Sequence, residues 1–173
     1  MRAILLSLLA VMTLSTVTIA QQDKSKRASP PDSTTVTTDD GITIDIHYSK
    51  PSVKGREIGV EIAPFGKVWR TGANEATTFE VNKDVLVQGQ PLAAGKYSLY
   101  SIPGKEKVTL IFNKTWDQWG TRYNEKQDVL RVDATPSQAA GDSVEQFTIT
   151  GDKDGTVTLR WGLYTVPFSV VAP

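Results

Sequence analysis

Hydrophobic and polar residues alternate along most of this chain with a period of two. Four large hydrophobic side chains between Ile42 and Tyr48 are separated by Thr43, Asp45 and His47. Successive side chains on a β-strand point to opposite faces, so such a segment buries one face and presents the other to solvent or to a site. The same alternation recurs in Ile58/Val60/Ile62, Phe79/Val81, Val108/Leu110/Phe112, Leu130/Val132, Phe147/Ile149 and Val157/Leu159/Trp161. The pattern predicts about ten strands.

Turn-forming residues separate these segments. They are Asp39–Gly41, Gly89–Pro91, Ala94–Lys96, Pro103–Lys105 and Gly151–Gly155, the last of which predicts a hairpin. Beyond Trp161 the hydrophobic parity changes, which requires a bulge or bend near Gly162, and Pro167 places the final segment at an edge or a bulge. No window is typical of an amphipathic helix, although residues Thr115–Gln127 have room for one short turn. The sequence therefore predicts an all-β fold, an antiparallel β-sandwich, for which a jelly roll is one fitting arrangement.

The amino-terminal residues follow a different pattern. Arg2 precedes an apolar run from Ala3 to Leu14, and small residues up to Ala20 precede the polar Gln21. This order is typical of a secretory signal peptide, and the apolar run is shorter than the about 20 residues that span a bilayer. We therefore expect residues 1–20 to be a cleaved signal peptide. The mature chain is expected to be periplasmic or secreted and to contain no transmembrane segment.

The next segment, residues 21–33, is polar and contains the pair Pro30–Pro31. Because it offers almost no apolar surface to offset the entropy of ordering, we expect it to be a flexible linker. Residues 34–173 then form the β-sandwich domain, whose size suffices for a hydrophobic core.

Composition excludes several classes of function. The chain has 19 basic and 19 acidic residues, so removal of Arg2 with the signal peptide leaves a net charge of −1. A nearly neutral chain gives no electrostatic basis for nucleic-acid binding. The chain has no cysteine and only one histidine, His47, which excludes thiol chemistry and any multi-histidine metal site. We therefore expect no metal and no cofactor.

The densest group of candidate binding residues lies in the segment Lys67–Thr77. Trp69 supplies an aromatic face, Arg70 a forked donor, and Asn74 and Glu75 polar side chains within a few positions. Such a group can bind a small molecule or a glycan through stacking and hydrogen bonds. In the structural alternative, Trp69 fills the sandwich and Arg70 pairs with Glu75.

Two further sets of residues are candidates for the same site. Arg56 follows a glycine in a predicted turn, and His47 lies on the polar face of its strand. Each can contribute to a ligand site, and each can equally be a solvated or hydrogen-bonded surface group. Trp116, Trp119 and Tyr123 can form an aromatic platform for carbohydrate, or they can cover an open end of the sandwich.

Paired carboxylates raise the alternative of a hydrolase. Glu75 together with Asp45, Glu61 or Glu80 supplies the residue type that cleaves glycosidic bonds, but no spacing fixes two of them at the required separation. Three functions therefore stay open. The leading hypothesis is a noncatalytic ligand-binding or interaction domain, followed by a structural component of an envelope assembly and by a carboxylate-dependent hydrolase acting on carbohydrate.

Several blocks of sequence carry a resemblance to a known family. They are Tyr48–Arg56, Pro64–Thr77, Leu92–Pro103 and Ile111–Lys114, together with Trp116, Trp119–Gly120 and Tyr123. In these blocks the chain resembles the domain-of-unknown-function family 2911, in one collinear pass over roughly residues 35–170. Ala93 stands where the family more often has proline. The resemblance implies a small exported bacterial β domain, and it implies no activity.

Overall fold

The computed structural model describes residues 23–138 and 141–173, in which twelve β-strands and two short 3-10 turns occur. The signal peptide expected at residues 1–20 lies outside the described residues. The strands are β1 (Pro31–Thr37), β2 (Thr43–Ser49), β3 (Thr78–Val81), β4 (Val85–Val87), β5 (Gln90–Leu92), β6 (Gly95–Ile102), β7 (Val108–Asn113), β8 (Asp128–Ala134), β9 (Ser137–Gln138), β10 (Val144–Gly151), β11 (Thr156–Gly162) and β12 (Tyr164–Val171). The 3-10 turns are Lys24–Lys26 and Glu125–Gln127.

These strands form two antiparallel sheets that pack face to face. The first sheet has the order β1-β2-β3-β6-β7-β8, and the second has the order β10-β11-β12-β4-β5, with β9 added beside β12. The prediction of an all-β antiparallel sandwich is confirmed. Most consecutive strands stay in one sheet as meanders, so the strand order differs from that of a jelly roll. The twelve strands slightly exceed the expected count of about ten, and three of them, β4, β5 and β9, are short pieces of three residues or fewer.

The predicted alternation places the core between the sheets. Ile44 and Ile46 of β2 are fully buried, and the ring of Phe79 on β3 lies 5.0 Å from that of Phe112 on β7. Phe79 also reaches across to Phe168 on the second sheet, with ring centroids 6.5 Å apart. Such edge-on and tilted aromatic contacts add to the stabilisation from apolar burial.

Hydrogen bonds join the two sheets along both lateral edges of the sandwich. On one side, the Thr34 hydroxyl donates to the Ile149 carbonyl at 2.6 Å, and the Tyr48 hydroxyl accepts from the Ile149 N–H at 3.1 Å. On the other side, the Gln88 amide donates to the Asp133 carbonyl at 3.1 Å. The edge strands therefore present few unpaired backbone groups at these points.

One predicted strand is wrong. Residues 58–62 form a compact loop in which the Gly59 N–H donates to the Ile62 carbonyl at 2.7 Å, and Val60 is 60% exposed. Gly59 has a φ of +89°, and a Cβ there would lie 2.4 Å from the ring of Phe65. The glycine therefore allows the chain to turn beneath an aromatic ring, which breaks the strand despite its alternating pattern.

Near Gly162 the structure has a bend, which is one of the two arrangements expected there. The parity change after Trp161 arises from a tight hairpin rather than a bulge, because Trp161 pairs with Tyr164 across Gly162, whose φ is +57°. Pro167 lies in β12 between the stretches of that strand that pair with β9 and with β4. The proline therefore has no ladder partner on that side, as an edge position requires.

The amino-terminal boundary of the domain lies earlier than expected. β1 begins at Pro31, which pairs with Ser49, so residues 31–33 belong to the sheet and not to a linker. Before them, the Pro30 carbonyl accepts from the Lys50 N–H at 2.9 Å. The difference arises because this pairing uses backbone groups, which the polar composition of the segment does not reveal.

Replacing Tyr48 by phenylalanine tests the bond that joins β2 to β10. Tyr48→Phe removes the acceptor of the buried Ile149 N–H, which should lower the free energy of unfolding by about 1–3 kcal/mol in urea denaturation. The matched control is Tyr97→Phe, because the Tyr97 hydroxyl donates to the Ala93 carbonyl in an exposed bond. Equal losses in the two variants would show that the inter-sheet bond contributes no more than an exposed one.

Candidate functional site

Trp69 lies inside the sandwich. Its N–H and carbonyl pair with Ser101 at 2.7 and 2.9 Å. Its ring stacks on Trp161 at 5.4 Å with an interplanar angle of 8°, and the edge of Phe147 approaches it at 5.1 Å. The indole, partly buried itself, therefore packs against two core aromatic rings, as the structural alternative for this residue describes.

Arg70 lies on the outer side of the first sheet, in a groove of about 330 Å³ that Tyr100, Gly120 and Tyr123 also line. A Cβ at Gly120 would lie 2.5 Å from Cδ of Arg70, so the glycine lets the arginine stem pass closely over the backbone. Among residues 23–138 and 141–173, Arg70 forms no ion pair. Arg70 therefore does not pair with Glu75, unlike in the structural alternative.

Glu75 is neutralised from the amino-terminal side instead. Its carboxylate accepts both bonds of Arg27, at 2.8 and 3.0 Å, and lies 3.0 Å from Nζ of Lys24. Partial desolvation raises the pKa of Glu75, but hydrogen bonds from its own backbone, Lys24 and Arg27 outweigh that effect and lower the pKa from 4.5 to about 2. The carboxylate is therefore held ionised.

Asn74 has a structural role in the same region. Its φ is +59°, a left-handed conformation that asparagine tolerates better than most residues. The side-chain amide donates to the Ser29 carbonyl at 2.9 Å, and the Asn74 carbonyl accepts from the Gly120 N–H at 3.0 Å. Asn74 thus ties the amino-terminal segment and the loop around Gly120 to the Lys67–Thr77 loop.

An open depression of about 560 Å³ lies on the outer face of the first sheet, beside this loop. Outward-pointing side chains of β2, β3 and β6 form its floor, and two tryptophans that are 42% and 44% exposed stand at its border. We call this depression the Trp shelf, and its main residues are His47, Glu75, Thr78, Lys96, Trp116 and Trp119.

The charged groups of the Trp shelf are paired with side chains that surround it. Nε2 of His47 lies 2.9 Å from Asp45, and Nζ of Lys96 lies 3.0 Å from Glu80 and 5.0 Å from the ring centre of Trp116. Desolvation alone would raise the pKa of Asp45. The hydrogen bond from Thr35 and the charge of His47 outweigh this effect, so the pKa of Asp45 is lowered. These contacts fix the side chains in place.

Thr78 carries an unsatisfied group on the floor of the Trp shelf. Its hydroxyl is buried and has no hydrogen-bond partner in the described chain. A buried polar atom without a partner is unfavourable by about 1–3 kcal/mol. Thr78 and Lys96 are not among the candidates from sequence. The alternation of β3 is the signal that identifies Thr78 as an outward position, whereas β6 does not alternate and gives no such signal for Lys96.

The structure separates the candidates that the sequence grouped together. His47 and Glu75 share the Trp shelf, whereas Arg70 lines the neighbouring groove. Arg56 lies elsewhere, beside Lys105 and Tyr164 in a third depression. Its guanidinium donates to backbone carbonyls of its own turn, at 2.7 Å to Ser52 and at 3.1 Å to residue 53. Two of the five N–H donors of Arg56 are therefore used within its own turn.

The aromatic platform considered from sequence divides in the same way. Trp116 and Trp119 border the Trp shelf, whereas the Tyr123 ring packs 4.8 Å from Tyr100 on the covered part of the sheet. In the described chain no three histidine, cysteine, aspartate or glutamate side chains are grouped as metal ligands. No helix among those residues has the length and apolar character needed to cross a membrane.

Acid should weaken the fold partly through Glu75. Its pKa is lower in the folded protein, so its contribution is present above pH 4.5 and is lost as the pH falls toward 2. In Glu75→Gln, the free energy of unfolding should depend less steeply on pH between about 4.5 and 2. Urea denaturation at a series of pH values measures this dependence, and the difference should stay below about 1 kcal/mol, as is typical of a half-exposed ion pair. The exposed Glu106→Gln is the control. A slope unchanged from the parent would contradict the role of the Lys24 and Arg27 contacts.

The four tryptophans should divide into two pairs by their effect on stability. Trp69→Ala removes a ring that stacks on Trp161 and meets the edge of Phe147, and it should cost about 3–5 kcal/mol. Trp119→Ala removes a ring that is 44% exposed and should cost about 0.5 kcal/mol. Thermal or chemical denaturation measures both. Comparable losses would show that Trp119 supports the fold rather than bordering a free surface.

The comparison with known proteins agrees with the resemblance seen in the sequence blocks. A family model described as "Protein of unknown function (DUF2911)" matches residues 29–170, which is most of the chain. No curated protein and no solved structure matches the chain. The matched range includes every strand except the last residue of β12, and it includes the whole Trp shelf. The chain therefore belongs to the DUF2911 family.

Proposed function

We propose that this chain is an exported, noncatalytic ligand-binding domain and that the Trp shelf is its binding site. The observation that carries the proposal is the exposure of Trp116 and Trp119, at 42% and 44%, beside an open polar depression. Tryptophan is usually well buried, and an exposed aromatic ring next to convergent polar groups is typical of recognition sites. Export rests on the order of charged, apolar and small residues in positions 1–20.

The rigidity of the surroundings supports this proposal. The Ala76 N–H donates to the Gln118 carbonyl at 3.0 Å, and the Gln118 side chain donates to the Tyr100 hydroxyl at 3.2 Å. The Thr115 carbonyl accepts from Ser98 at 3.0 Å, which ties the start of the loop to β6. A site held on strands and on a tied loop loses little entropy when it binds.

The electrostatics favour binding over carboxylate catalysis. A glycosidase needs one carboxyl group with a raised pKa to act as general acid. The pKa values of Glu75 and Asp45 are both lowered by their partners, which is the opposite direction. The same polar character distinguishes the Trp shelf from the flat apolar patch that assembly into an envelope structure would favour.

Indole N–H signals in nuclear magnetic resonance can test the proposal directly. The exported chain, whose mass should correspond to an amino terminus at Gln21, is labelled on its four tryptophans. It is then titrated with fractions of a bacterial envelope extract. We expect one fraction to shift the signals of Trp116 and Trp119, while Trp69 and Trp161 in the core serve as internal controls. If every fraction leaves the two shelf signals in place, the Trp shelf is not the binding site.

A further inference from the structure

The structure also indicates what kind of ligand fits the Trp shelf. We propose that it binds a neutral oligosaccharide, lying along β2 and β3 with one sugar ring stacked on Trp119; this inference rests on the proposed function. A pyranose has a face of C–H groups and a rim of hydroxyls. The Trp shelf offers the matching pair of surfaces, an exposed indole and a strand face of hydrogen-bonding side chains.

Trp119 is better placed to stack than Trp116. The Lys96 ammonium lies 5.0 Å from the ring centre of Trp116, so a cation already covers one face of that indole. Trp119 has no cation over its ring among the described residues, and its backbone bridges to Glu75 beside the floor of the shelf. Trp119 therefore carries the stacking, and Trp116 with Lys96 forms a wall.

Charge pairing favours a neutral ligand. Lys24 and Arg27 both contact Glu75, and Lys96 pairs with Glu80, so each of these charged groups already has a partner of opposite sign. A charged ligand would have to compete with these contacts to find a free counter-charge. Asp117 at the border is exposed and forms no ion pair among the described residues, and its negative charge disfavours an anion.

Hydrogen-bonding groups continue past the Trp shelf along the same strands. Asp45 lies opposite Glu80. Both line a further depression of about 330 Å³, next to the Trp shelf, together with Thr43 and Asn82. Oδ1 of Asn82 accepts from the Thr43 N–H at 2.8 Å, which leaves its amide N–H groups for a ligand. From Thr78 to Asn82 the floor extends about 13 Å at the rise of a β-strand. This length favours an oligosaccharide over a single sugar.

Calorimetric titration of the exported chain with a panel of neutral tetrasaccharides tests the inference. The panel contains β-1,4-linked glucose and N-acetylglucosamine, α-1,4-linked glucose and mannose oligomers, each beside its monosaccharide. We expect at least one tetrasaccharide to bind more tightly than its monosaccharide, and Trp119→Ala to weaken that binding by at least about tenfold. The affinity should stay unchanged between low salt and about 0.5 M NaCl, because no ion pair forms.

Controls separate the possible outcomes. Leu163→Ala, at a 43% exposed position remote from the Trp shelf, should leave the affinity unchanged. A polyuronate and a proline-rich peptide are titrated in parallel. Three results would overturn the saccharide inference: no binding of any neutral oligosaccharide in the panel, binding of the polyuronate or the peptide in their place, or an affinity insensitive to Trp119→Ala. The proposed function would still stand if envelope fractions shift the shelf indole signals, and it would fall separately if they do not.

Discussion

Hydrophobic side chains on the inner face of the first sheet pack against the second sheet. Their burial determines that the polar side chains between them point outward. Ile44 and Ile46 are fully buried, so Asp45 and His47 must point outward. A slip of one residue in the pairing of β2 would bury a carboxylate and an imidazole, which is strongly unfavourable. The core therefore holds the Trp shelf in register, although no residue of the shelf belongs to the core cluster.

The outer face of the first sheet is divided into a covered part and an open part. Tyr100 and Ile111 are buried there beneath Tyr123, because they are hydrophobic residues at outward positions. The fully buried Asn113 anchors the covering loop, since its side chain donates to the Asn124 carbonyl at 2.9 Å and accepts from the Thr115 N–H at 3.0 Å. The Trp shelf begins where these outward hydrophobic residues end.

Local pattern predicts the sheets of this protein well and its site only in part. The alternation around Ile44 is enough to identify β2, because a strand buried on one face has a hydrophobic residue at every second position. The ion pair of Glu75 with Arg27 joins residues 48 positions apart, and composition cannot reveal such a contact. Sequence likewise gives no means of telling that Trp69 faces inward and Trp119 outward. That distinction follows from the pairing of Trp69 with β6, a tertiary contact.

The strand order of the second sheet has a consequence for how the chain folds. β4 and β5 join the second sheet only when β12 is in place, because β4 pairs with β12 through Val87 and Val170, which are far apart in the sequence. Pairings of such high sequence separation form late and slow the folding of β proteins. A nascent chain therefore cannot complete its second sheet until β12 has been synthesised.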